Sequence, residues 1–97
     1  MYGTIFRMKI IPGYEAELIA LAENWNKNER HTVDGVIATY FMKPDNVPGE
    51  MVGMAVFRDK ASYLSNADDP IQHERFMKFR ELLLEDPEWT DGEFVSG

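Results

Sequence analysis

Cysteine is absent from the 97 residues, and histidine occurs only twice. The first absence excludes a disulfide scaffold and the two together exclude a zinc finger, the usual staples of very small domains. A chain this short buries only about 60–65% of the surface that its unfolded form exposes. Oligomerisation is then the remaining route to added stability. Long apolar runs are missing too. The longest, Met51 to Phe57, falls far short of the ~20 residues of a membrane span. Arg7 and Lys9 interrupt the only N-terminal stretch that a signal peptide could use, and no Asn-x-Ser/Thr sequon occurs. The expected compartment is the cytoplasm, with no membrane partner. Basic charge is scarce: net charge is −7, with five basic and eleven acidic groups in residues 49–97. Such a surface repels phosphates, so no nucleic-acid partner is expected.

What is present is a globular composition, 44% hydrophobic and 28% charged, with no linker or repeat. A single domain over residues 1–97 is expected. Tyr2–Ile10 alternates Phe6, Met8 and Ile10 against Ile5, Arg7 and Lys9, which predicts a strand. Pro12-Gly13 ends it. From 14 to about 28, Tyr14, Leu18, Leu21 and Trp25 form one helical stripe. Asp34-Gly35 leads into Val36–Lys43, which a polar loop through Pro48-Gly49 joins to Met51–Phe57, a predicted hairpin. Asp59 or Lys60 opens a short helical piece. Asp69-Pro70-Ile71-Gln72 restarts it as N-cap, first-position proline and capping-box glutamine, a better account of Asp68 and Asp69 than a metal site. That helix is expected to run to about Leu84, and Glu88–Val95 makes a last strand with a possible bulge at Gly92.

The order β-α-β-β-α-β is the ferredoxin-like α+β arrangement: a four-stranded antiparallel sheet with two helices on one face. In the second strand Val36, Ala38, Tyr40 and Met42 oppose Ile37 and Phe41, and in the third Met51, Ala55 and Phe57 oppose Val52, Met54 and Val56. Both faces of the hairpin are apolar. One face packs on the helices, and the other asks for a second sheet, so a homodimer through the sheet faces is expected.

Pro12-Gly13, Asp34-Gly35, Pro48-Gly49-Glu50, Phe57-Arg-Asp-Lys-Ala-Ser-Tyr63 and Asp69-Pro70-Ile-Gln-His73-Glu-Arg-Phe76 occur in an order that resembles the antibiotic biosynthesis monooxygenase domain. That family lies among the dimeric ferredoxin-like α+β barrels, and the resemblance covers essentially the whole chain. It implies a homodimer with facing sheets, an apolar cavity between sheet and helices, and a cofactor-independent monooxygenase. Relatives of this kind oxidise phenols or quinols with O₂, the substrate supplying the electrons, with no metal, flavin or haem. A haem-degrading branch uses an Asn on strand one, a Trp after strand three and a His on helix two. Here Ile5-Phe6-Arg7 lacks the Asn, Phe57 stands near the Trp position, and His73 sits about a turn away.

Serine-nucleophile, dinucleotide and phosphate-loop motifs are absent. One constellation remains. His73, Met77, Arg80 and Leu84 run beside the core stripe Gln72, Phe76, Phe79 and Leu83. His73 can take a phenolic proton, and Arg80 can stabilise an anion. These two are the candidate catalytic residues, against the plainer account of a solvated helix edge with Arg80 paired to an acid. Phe6, Tyr14, Trp25, Tyr40, Phe57, Tyr63, Phe76 and Met77 are the candidate pocket lining, or simply core. No metal or other cofactor is expected. Two functions stand at this point: an oxygenase acting on a small aromatic, phenolic or quinol-like substrate, and a non-catalytic homodimer that binds a hydrophobic metabolite or serves in assembly. An enclosed cavity bearing His or Arg favours the first; a filled core favours the second.

Overall fold

A computed structural model describes residues 1–97. The strands are β1 (Tyr2–Lys9), β2 (Val36–Met42), β3 (Glu50–Phe57) and β4 (Glu88–Glu93), and the helices are α1 (Glu15–Asn24), α2 (Lys60–Ala67) and α3 (Pro70–Arg80). The sheet order is β2-β3-β1-β4, antiparallel at every step. This is the ferredoxin-like α+β topology, with the second helical stretch broken into α2 and α3. No helix is long and apolar enough to cross a membrane.

Register fixes which side chains meet the helices. Phe6 opposes Gly53, Met8 opposes Met51, and Thr4 opposes Ala55, so these share the covered face. Met8, Ile10, Leu18, Met51, Leu82 and Leu83 form the buried core at one end of it. Gly53 belongs there for a steric reason. A Cβ on it would run into the Phe6 ring, so the ring lies across its neighbour only because that neighbour has no side chain.

Three local features depart from the pattern in the sequence. The first helix ends at Asn24 and continues as a wider π turn, Trp25–Glu29, and a short 3₁₀ turn, Arg30–Thr32. The β2–β3 register shifts between Val36 and Ala38, so Val36, Thr39 and Phe41 face the helices while Ala38, Tyr40 and Met42 face away. Helix α3 stops at Arg80, because the chain then turns for Leu83 to bridge Ile10, and β4 pairs with β1 without a bulge at Gly92.

Caps set the helix starts. Asp59 accepts from the Ser62 amide at 2.8 Å, and this bond holds its carboxyl below the usual range. Asp69 accepts from the Ile71 amide at 2.9 Å, with Pro70 in the first turn as expected. The expected capping box is not made: Gln72 Oε1 is shielded and has no hydrogen-bond partner.

Candidate functional site

Between the sheet and helices α2 and α3 lies a cavity of about 320 Å³. Aromatic rings make most of its wall. Phe6 stands 4.8 Å from Trp89 and 5.8 Å from Phe41, Phe41 stacks on Phe79 at 5.9 Å, and Phe76 meets Trp89 at 5.7 Å. The offset and edgewise arrangement leaves ring faces and edges turned to the space between them. Sheet residues Thr4, Thr39, Ala55 and Phe57 continue the wall, and the π turn contributes Trp25. A straight α-helix through residue 28 would place Trp25 by the α1 stripe. The wider turn begins at Trp25 itself.

Polar groups gather on the helices. Asn66 from α2 and Gln72, His73 and Arg75 from α3 border the cavity. Arg75 is 15% exposed at its side chain, and its Nη2 donates to Thr32 Oγ1 at 3.3 Å. Its Nε faces Glu29 Oε1 at 3.6 Å, too far for a hydrogen bond, and is left unpartnered. Tyr63 lines the cavity, and its hydroxyl donates to Asp91 Oδ1 at 2.9 Å. Burial first, and the Asp91 carboxylate second, push that phenol up to about 12. Tyr63 therefore stays protonated near neutrality and is no base there. No group of three or more His, Asp or Glu side chains gathers in a metal-holding arrangement.

Among the residues singled out in the sequence, the fold brings His73, Phe6, Trp25, Phe57, Tyr63 and Phe76 to this cavity. It places four elsewhere. Tyr14 sits at the α1 N-cap and is exposed. Tyr40 is carried to the open sheet face by the β2 register shift. Met77 is exposed and does not line the cavity. Arg80 lies seven residues beyond His73, roughly 10 Å along the helix. Its Nε donates to Asp86 Oδ1 at 2.7 Å and its Nη1 to the Leu83 carbonyl at 3.1 Å. It ties down the chain leaving α3, outside the cavity. Conversely, Gln72, Arg75 and Asn66 border the cavity without having been named as candidates for it. The signal for Gln72 was an amide inside the α3 core stripe, and Arg75 follows it at i+3 on the same face.

Comparison with known proteins places the whole arrangement. The family model described as antibiotic biosynthesis monooxygenase matches residues 1–78. No curated protein matches. Among solved structures, the chain is similar to SnoaB, a cofactor-independent oxygenase from Streptomyces nogalater, at 14% identity, over 99% of this chain and 94% of that one, with a TM-score of 0.82. It is similar to a conserved protein from Methanosarcina mazei Go1 at 15% identity, over 94% and 89% of the two chains, with a TM-score of 0.81. It is similar to Rv0793 from Mycobacterium tuberculosis at 19% identity, over 99% and 96%, with a TM-score of 0.79. At such identities these likenesses establish the fold.

Proposed function

The chain belongs to the antibiotic biosynthesis monooxygenase family, and from that premise we propose that it oxidises a small phenolic or quinol-like aromatic with O₂ and no resident cofactor. One observation carries the proposal: an aromatic-walled cavity of about 320 Å³ that His73 and Arg75 border. That volume lies at the small end of ligand pockets, which run to about 300–1,000 Å³. The cavity speaks for the oxygenase over the non-catalytic metabolite binder or assembly module, for which a filled core would have spoken. The protein works as a homodimer through its open sheet face, and the cytoplasm is its expected compartment.

The chemistry needs few protein groups. The substrate lies between the rings of Phe76, Phe79 and Phe6, where water is scarce. His73 takes the phenolic proton, which raises the electron density of the ring. The phenolate gives its electrons to O₂, and a bond forms between oxygen and a hydrogen-bearing ring carbon, para to the hydroxyl in a phenol and ortho to one in a quinol. The resulting hydroperoxide loses its ring C–H proton and the O–O bond breaks. One oxygen atom remains as the new carbonyl of a quinone, and the other leaves as water with both lost hydrogens. The substrate supplies all four electrons. Arg75 stabilises the negative charge left on the phenolate oxygen. That role passes to it because Arg80 is engaged by Asp86.

Oxygen consumption with a panel of polycyclic phenols and hydroquinones tests this. Uptake should match quinone formed one to one, without added metal or flavin. His73→Ala should lower turnover on the order of 10²-fold with little change in melting temperature. Arg80→Ala should leave turnover intact and lower the melting temperature, because it frees the chain leaving α3. An Arg80→Ala loss of turnover in a normally folded protein would return the anion-stabilising role to Arg80. A parent protein that oxidises no panel member would remove the proposal.

A further inference from the structure

The chain has 17 acidic side chains, yet no Asp or Glu lines the cavity, and its one permanent charge there is Arg75. In an acidic protein, the one charged side chain that lines the cavity is a cation. The guanidinium is short of partners. Its side chain is 15% exposed, Nε has no hydrogen bond, and Nη2 has only Thr32 Oγ1 at 3.3 Å. The facing Glu29 carboxylate stops at 3.6 Å and belongs to the π turn at the rim. A turn away on the same helix face, Gln72 Oε1 is shielded and unpartnered as well. A shielded donor and a shielded acceptor, both unmet, are costly in a folded protein and are met when a ligand brings the complementary groups.

We infer that the substrate is an acid: an aromatic ring that carries a carboxylate, which accepts from Arg75 Nε–H and displaces Glu29. A planar carboxylate matches the guanidinium fork better than a neutral carbonyl does, and the contact is charge-assisted. Gln72 Oε1 takes a further ring hydroxyl where the substrate has one. The rings of Phe76 and Phe79 hold the apolar remainder. The inference rests on the cavity being the reaction site, and it narrows the phenols and quinols above to their acidic members.

Titration calorimetry with 1-hydroxy-2-naphthoate, its methyl ester and 1-naphthol tests it. The acid should bind at least tenfold tighter than the ester. Arg75→Met should abolish that preference, and Glu29→Gln, at the partly buried rim, should tighten the acid. Equal affinity for acid and ester in the parent protein overturns the inference, as does a preference that survives Arg75→Met or a Glu29→Gln variant that binds the acid more weakly. Binding of none of the three also overturns it. Oxygen uptake with 1-naphthol separates the two proposals. Uptake without preference for the acid removes the acidic substrate alone. Preference for the acid without uptake from any phenol removes the oxygenase alone.

Discussion

Single side chains at the cavity divide into those the sequence exposes to inspection and those it hides. Tyr63 is of the first kind, because its aromatic ring already made it a candidate for the cavity wall. Its state is of the second kind, because Asp91 comes from β4, 28 residues away. The raised phenol has a consequence in solution. Unfolded tyrosine ionises near pH 10, whereas the folded ring holds its proton to about 12. The folded state therefore binds the extra proton between those values, and the stability this represents is present below pH 10 and lost as pH rises toward 12. The ring is only partly shielded, so the loss should be on the order of 1 kcal/mol. Chemical denaturation at pH 9 and at pH 11.5, for the parent and for Tyr63→Phe, measures it. The parent should lose more stability than the variant; equal losses would mean that Tyr63 ionises normally. Arg75 was hidden for a related reason. Its neighbours Glu29 and Thr32 lie in a connection whose π and 3₁₀ turns leave no periodic mark in the sequence.

Whole elements were more legible than their ends. Alternation in Tyr2–Ile10 and the Pro48-Gly49 turn marked the strands, and Asp69-Pro70 marked the start of α3 through capping chemistry that acts within a few residues. The end of α3 was not legible, because tertiary pairing of Leu83 with Ile10 stops the helix where its stripe would have continued to Leu84. The face of Tyr40 was not legible either. Strict alternation from Val36 puts it with Val36, and the register shift at Val36/Ala38 reverses the rest of the strand. Gly53 shows how an element shapes the site. Its missing side chain lets Phe6 lie across β3, and Phe6 in turn packs on Trp89 and Phe41. Gly53→Ala should push the ring into the cavity at a cost of about 1–3 kcal/mol, the usual range for overpacking. Binding of 1-naphthol should weaken with the melting temperature. A variant with unaltered stability and binding would mean that the ring moves freely and does not define the wall.

The molecule as a whole leaves one large surface unaccounted for. All three helices pack on one face of the sheet, and the other face carries no element of this chain. On it Tyr40 is 66% exposed and Met42 58%, with Ile5 and Ile37 also open beside Val52 and Met54. A contiguous apolar sheet face of this kind is unusual for a lone soluble domain and suits a self-complementary partner. Two copies meeting sheet to sheet would bury the same residues twice over and would add stability to a small chain without cysteine. An obligate interface of this type buries about 2,000 Å² or more in total. The charged residues of β1, Arg7 and Lys9, share this face and are paired with Glu50 and Glu85, so the apolar part of the face is the side formed by β2, β3 and Ile5. Tyr40→Glu places one carboxylate per subunit on that face, on the edge strand β2, and a sheet-to-sheet dimer would draw both into a desolvated layer. Sedimentation and light scattering at micromolar concentration should give the parent twice its 11.2 kDa chain mass. The variant should give a monomer with a concentration-independent and lower melting temperature, because dimer formation and folding are linked by mass action. A parent protein that stays monomeric, or a variant that still pairs, would leave the open face to some other partner.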